Sequence, residues 1–159
     1  HFKLYVKEHP AMVGYRPRTY YQELKKIPNI KLINPQSMSF PLIRNCKLIT
    51  TITSTVGWEA LFLKKPVVTL GEVFYNKLSM VKCCKTIENL PLVIKEQLEN
   101  FHFNEEELIN YLSAMLSDGI DVPFVSLWER ELDNIEKIDA YSELIADLII
   151  KKLNFQPNN

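Results

Sequence analysis

An α/β fold built on a parallel sheet is what this sequence predicts, and three observations predict it. Short β-branched or apolar runs recur along the first seventy residues, at Leu4–Val6, Ile30–Ile33, Ile49–Thr53 and Val67–Leu70. The segments between them are too long for hairpin turns and carry helical patterning, so the strands are expected to run parallel with helical crossovers. One stretch, 51–71 with the sequence TITSTVGWEALFLKKPVVTLG, compresses strand, turn, helix and strand into about twenty residues. Such a βαβ unit implies a right-handed crossover.

Taken in order, Lys3 to Lys7 is the first strand, with Leu4 and Val6 on one face and Tyr5 on the other. Glu8-His9-Pro10 breaks it, and Ala11 to Pro17 is a loop with Gly14, Arg16 and, just beyond, Arg18. Thr19 to Lys26 reads as a polar helix ending near Pro28-Asn29. Ile30 to Ile33 is the second strand, stopped by Asn34-Pro35. Phe40 to Cys46 is a short helix, with Ser39 as its expected cap and Pro41 just inside its start. Leu48 to Thr53 is the third strand. A helix from Val56 to Leu63 follows, closed by Lys64-Lys65 and blocked by Pro66. Val67 to Leu70 is the fourth strand, stopped by Gly71. Four strands alternating with helices predict a sheet covered on both faces.

Beyond Gly71 the pattern changes. Phe74 to Lys82 is aromatic and irregular, with an edge strand expected within Val81 to Thr86. Leu90 to Leu98 is helical. Asn104 followed by Glu107 resembles a capping box for a helix to Leu116, stopped by Asp118-Gly119. Asp121 to Ser126 reads as extended and Trp128 to Ile138 as helical. Asp139 to Leu153 is an amphipathic helix with Leu144, Ile145, Leu148 and Ile149 on one side. Phe155 to Asn159 is a tail. Two domains are expected, 1–100 around the sheet and 101–159 as a helical extension.

The 159 residues suffice for an ordinary core, and 47% apolar with 24% charged residues excludes a disordered chain. Nineteen basic side chains balance nineteen acidic ones, which argues against a general nucleic-acid binder but leaves room for a local basic pocket. Cys46, Cys83 and Cys84 make no disulfide framework, and adjacent cysteines are not a metal-ligand spacing. They read as reduced and mostly buried, which suits the cytoplasm. No apolar run reaches membrane-spanning length. His1-Phe2-Lys3 enters a strand almost at once, so the chain is expected to be part of a longer protein whose earlier half lies elsewhere.

The candidate chemistry gathers where strands end. Ser54, Thr55 and Gly57 open a helix, where unpaired amides and the positive end of the dipole favour an anion. The alternative is equally physical: a hydroxyl that only caps the helix, and a glycine that only permits close packing. His9 follows a strand directly and, with parallel strands, lies at the same sheet edge as Ser54 and Thr55. Pro10 biases it toward an extended backbone. It could donate to a phosphate oxygen or satisfy a loop carbonyl. Lys7, Arg16 and Arg18 add positive charge there; guanidinium suits phosphate or carboxylate, though exposed arginines are often only solvated. Glu59 complements the helix dipole or accepts from ribose hydroxyls. Neither G-x-G-x-x-G nor G-x-x-x-x-G-K-[ST] is present, which disfavours dinucleotide oxidoreductases and P-loop hydrolases. No metal motif is present, and neither a metal nor a cofactor is expected.

Three segments read together carry a resemblance: Leu4-Tyr5-Val6-Lys7-Glu8-His9-Pro10, Thr53-Ser54-Thr55-Val56-Gly57-Trp58-Glu59-Ala60, and Lys65-Pro66-Val67-Val68-Thr69-Leu70-Gly71. In this order and spacing, with Arg16, Tyr20-Tyr21 and Pro28-Asn29 between, the chain resembles the capsule polysaccharide biosynthesis and export family over residues 2 to 95. The resemblance implies the carboxyl-terminal, Rossmann-like half of a GT-B glycosyltransferase. Such enzymes use a nucleotide sugar, here a CMP-linked one such as CMP-Kdo. The H-P and serine/threonine motifs are also similar to those of bacterial sialyltransferases. Carried onto this chain, His9 and Pro10 would meet the phosphate or cytidine, beside the positive charge that Lys7 and Arg16 bring by their own position. Ser54, Thr55 and Gly57 would hold the phosphate, Glu59 would reach the ribose, and Asn34 to Phe40 would border the base.

The implied partners are a nucleotide sugar, a glycan or glycolipid acceptor and a missing amino-terminal domain holding the catalytic acid or base. The implied location is the cytoplasm, at the inner face of the inner membrane. Two rival readings remain: a nucleotide-sugar epimerase of the same fold, and a non-catalytic export or interaction module.

Overall fold

The computed structural model describes residues 2–119, 122 and 135–153. These separate into two compact units, His1–Asn104 and Glu105–Asn159.

Among the described residues the first unit holds five strands and four α-helices, besides short 3-10 turns: β1 (Leu4–Lys7), α1 (Arg18–Lys26), β2 (Ile30–Ile33), α2 (Ser39–Asn45), β3 (Ile49–Thr51), α3 (Val56–Phe62), β4 (Val67–Thr69), β5 (Val81–Cys83) and α4 (Leu90–Asn100). Every strand pairing is parallel, and the fold is Rossmann-like α/β, as the alternation of elements requires. The strands form two hydrogen-bonded sheets, β1-β2 and β3-β4-β5, where the sequence predicts one. Lys47 lies over the Phe2 ring at 5.8 Å, which brings the entrances to β1 and β3 together. No ladder joins those two strands.

The core belongs to the second sheet. β4 is the central strand, and Val67, Val68 and Thr69 are all fully buried. Around it close Ile43 of α2, Ala60 and Leu61 of α3, and Tyr75, Leu78 and Met80 from the segment before β5. Burying a Val, Leu or Ile side chain stabilises by about 1.5–3 kcal/mol, so this cluster carries most of the unit's hydrophobic gain. Gln97 of α4 is also buried; its Nε2 donates to the carbonyls of Val67 at 3.2 Å and Met80 at 2.7 Å. A single amide thereby ties the helix to the entrances of β4 and β5.

Several boundaries move. Ser39 is the first residue of α2, and the preceding residue Met38 makes no side-chain cap. β3 stops at Thr51, two residues early, because the chain bends at Ile52 and Thr53 to enter the turn. α3 ends in a left-handed residue, Lys64 at φ 54°. The Lys65 amide donates to Ala60 O at 3.0 Å and that of Lys64 to Leu61 O at 2.9 Å, the paired bonds of a Schellman cap made without glycine.

The second unit contains α5 (Glu105–Asp118) and α6 (Ile135–Leu153). α6 runs unbroken through Asp139, where the sequence suggests a new helix. Its least exposed positions are Ile138, Tyr141, Ile145 and Leu148, whereas Leu144 and Ile149 are exposed. The apolar stripe is therefore rotated from the expected one. Apart from Val122, the stretches expected as extended at 121–126 and helical at 128–134, and the tail 155–159, lie outside the described residues.

Candidate functional site

The first corner forms where β3 turns into α3. Thr51 Oγ1 accepts from the Ser54 amide at 3.2 Å, and Ser54 Oγ accepts from Val56 N at 3.2 Å. The Ser54 carbonyl accepts from Gly57 N at 3.3 Å. Ser54 thus acts as the cap one residue earlier than the helix boundary suggests; Thr55, at the boundary, makes no side-chain cap. Thr55 is exposed and lends neither its amide nor its hydroxyl to these bonds. Glu59 is exposed in the first turn of α3.

Tyr75 holds this corner from beneath. Its ring is fully buried and its hydroxyl donates to Ser54 O at 2.6 Å. It stacks against Trp58 at 6.2 Å and meets Phe74 edge-on at 5.1 Å. Burial pushes its phenol pKa up, since phenolate would lose its hydration there. Gly57 is the counterpart: a Cβ there would stand 2.5 Å from the Tyr75 hydroxyl. Gly57 is buried against that ring and packs, which is the plainer of the two readings its sequence position allows. Gly71 is similarly confined, with Thr53 Cγ2 2.8 Å from where its Cβ would lie.

The second corner follows β1. Its first turn is a short 3-10 helix, Pro10–Met12, for which His9 is the cap. His9 Nδ1 accepts from Ala11 N at 3.2 Å. An accepting Nδ1 leaves the proton of a neutral imidazole on Nε2, so the exposed His9 keeps one N–H donor. It accepts from a loop amide; the sequence reading has it donating to a loop carbonyl or a phosphate.

Arg16 and Glu8 are paired. Arg16 Nε donates to Glu8 Oε1 at 2.7 Å, and the Tyr21 hydroxyl donates to Glu8 Oε2. The guanidinium lies over the Tyr20 ring at 4.8 Å, and Tyr20 meets Tyr21 edge-on. The Tyr21 hydrogen bond, and after it the Arg16 guanidinium, hold the Glu8 carboxyl below its ordinary range, while partial burial works the other way. Glu8 conversely raises the pKa of both Arg16 and Tyr21 through the same bonds. Lys7 closes β1 half-buried, and Pro10 is exposed.

Both corners lie at carboxyl ends of parallel strands, where open α/β sheets bind ligands. Among the described residues His9 and Ser54 share no hydrogen-bond partner. A pocket of about 250 Å³ lies elsewhere, lined by Met80, Lys82, Gln97, Phe101 and His102 among others. Its lining includes Ser79 and Met80, which precede β5, and not Ser54 or His9. Among the described residues no group of His, Cys, Asp or Glu could hold a metal, and no helix is long and apolar enough to cross a membrane.

Sequence reasoning passed over Glu8 and Tyr75. Glu8 stands between two named candidates, Lys7 and His9, and its partners lie eight and thirteen residues away. Tyr75 sits in an irregular stretch whose periodicity signals nothing.

A Rossmann-like domain with capped turns at the carboxyl ends of its strands is the class this geometry defines. A family model described as capsule polysaccharide biosynthesis protein matches residues 1–82, over half the chain, and the protein belongs to that family. Both corners fall within the matched residues. Protein FixF of Sinorhizobium fredii is similar: 41% identical over 75 residues, 45% of this chain and 16% of that protein's length. No solved structure matches the chain.

Proposed function

We propose that this chain is the donor-binding part of a glycosyltransferase in surface polysaccharide synthesis, taking a nucleotide sugar, CMP-linked in preference to UDP-linked. The observation that carries the reading is the family match across both strand-end corners. The GT-B arrangement, the glycan or glycolipid acceptor, the absent amino-terminal domain and a site of action at the inner face of the inner membrane all belong to the proposal.

In this reading the protein stabilises negative charge as it collects on the departing nucleotide phosphate. His9 Nε2–H, the Thr55 hydroxyl and amide, Lys7 and the outer edge of Arg16 supply donors or charge. Ser54 keeps the turn in shape, Gly57 lets the turn rest on Tyr75, and Pro10 fixes the entry to the His9 turn. Glu59 accepts from ribose hydroxyls. Fold alone supplies no chemistry, so the test is ligand-based.

Titrating CMP, UDP and GDP into the 159-residue chain, followed by NMR, is that test. The expected result is that CMP moves the His9 ring and the amides of Ser54 and Thr55 most. If no nucleotide moves either corner, the chain is not a donor site. Conversion of a nucleotide sugar without acceptor would favour an epimerase.

A further inference from the structure

We infer that Glu8 is a positioning residue that aims the outer edge of the Arg16 guanidinium at an anionic ligand; the inference deepens the donor-site reading and rests on it. A guanidinium has five N–H donors in a rigid plane. In Arg16 the Nε donor is held by Glu8 Oε1 at 2.7 Å, and one face is covered by the Tyr20 ring at 4.8 Å. The hydrogen bond to Glu8 uses Nε and neither Nη group. One edge fixed and one face covered leave the Nη fork as the available surface, and that fork matches a phosphate or carboxylate in bidentate geometry.

The charge distribution favours this assignment. A carboxylate close to a phosphate would normally repel it. Here the Glu8 side chain is only 15% exposed, against 45% for Arg16. Both Glu8 oxygens are occupied, one by Arg16 and the other by Tyr21. The negative charge is turned inward and the positive charge outward. Lys7 and His9 flank Glu8 in sequence, so the only carboxylate of this short run is the one already paired. Arg18, only two residues on, is exposed and has none of these holds; it is the internal control.

The chemical class of ligand is a phosphate monoester or diester, such as a nucleotide's. The probes are inorganic phosphate and CMP, read against cytidine, which lacks the phosphate. In the wild-type chain the Arg16 Hε resonance should exchange slowly with solvent, unlike that of Arg18, and should shift on adding phosphate. Glu8→Gln keeps the size but supplies only one acceptor oxygen. It removes the charge assistance from the Arg16 bond, so it should speed the exchange and weaken phosphate and CMP binding by about tenfold, the scale of one charge-assisted hydrogen bond, while cytidine binding stays unchanged. Tyr21→Phe leaves the Arg16 bond and should cost less.

Fast exchange of Arg16 Hε in the wild type, or a phosphate titration that leaves Arg16 unmoved, overturns the inference. So does unchanged phosphate affinity in a folded Glu8→Gln chain. Phosphate binding at Arg16 without CMP preference would sink the donor reading but leave the role of Glu8 standing. The wild-type measurements decide the matter even if Glu8→Gln fails to fold.

Discussion

The two strand-end corners are held in shape by different forces. At the Ser54 corner, β4, α3 and the aromatic segment after Gly71 surround the turn with fully buried side chains. At the His9 corner, β1, α1 and β2 contain no buried residue at all. There the chain is fixed by a carboxylate, a guanidinium and two tyrosines near the surface. Apolar packing has no charge to titrate or screen, whereas a partly exposed ion pair responds to both pH and ionic strength. One corner is therefore held by apolar packing, and the other by charge.

The sharpest way to break this contrast is to remove the aromatic support. Tyr75→Ala should destabilise the first unit by about 3–5 kcal/mol, the range for truncating a large buried aromatic, read as a drop in the denaturant midpoint. A loss under 1 kcal/mol would mean that the Ser54 corner does not rest on Tyr75.

Gly57→Ala tests the same contact from the other side. Its Cβ would meet the Tyr75 hydroxyl at 2.5 Å and ring carbon Cζ at 3.0 Å. Overpacking should cost about 1–3 kcal/mol, reduced by the better helix propensity of alanine. Adding Tyr75→Phe removes the atom in the way, so the double variant should recover part of that loss. Strict additivity of the two losses would argue that the clash is relieved elsewhere.

Acid should act on the other corner first. Glu8 has a folded-state pKa below its unfolded value, so its stabilising contribution is present above the ordinary carboxylate pKa. It is lost as pH falls through the lower, folded value. An acid titration followed by the tyrosine signals of Tyr20 and Tyr21 should show loosening below about pH 4.5, while the Trp58 signal holds. Simultaneous loss of both would merge the two corners into one cooperative unit.

The smallest effect is expected at Leu4, 54% exposed on β1. Leu4→Ala should change stability by less than about 0.5 kcal/mol, as for an ordinary surface position. A larger loss would show that β1 is covered in solution.

Much of this was legible in the sequence. Ile30–Ile33 forms a strand with the bounds expected of it, and Val67–Thr69 is central because three consecutive apolar or β-branched residues fit a strand buried on both faces. The Ser54 hydroxyl cluster marked the turn correctly but not which oxygen caps it. Local spacing cannot tell Ser54 from Thr55 when both precede the helix. Ser39 is not a cap because the helix begins one residue earlier than its pattern suggests and takes Ser39 in as its first residue. The rotated stripe on α6 shows how a run of Leu and Ile permits several faces, with packing selecting one. The Glu8 cluster joins residues eight and thirteen apart across a loop and a helix. No periodicity records such a meeting.

The sequence alone determined the alternation of parallel strands and helices and the places where turns fall, because side-chain pattern and turn chemistry are local properties of the chain. Tertiary structure alone decided that the strands divide into two sheets, that Gly57 yields its space to Tyr75, and that Glu8 rather than solvent holds Arg16. Each of those depends on which distant atoms arrive within about 3 Å of one another, the distance at which hydrogen bonds form and steric overlap begins.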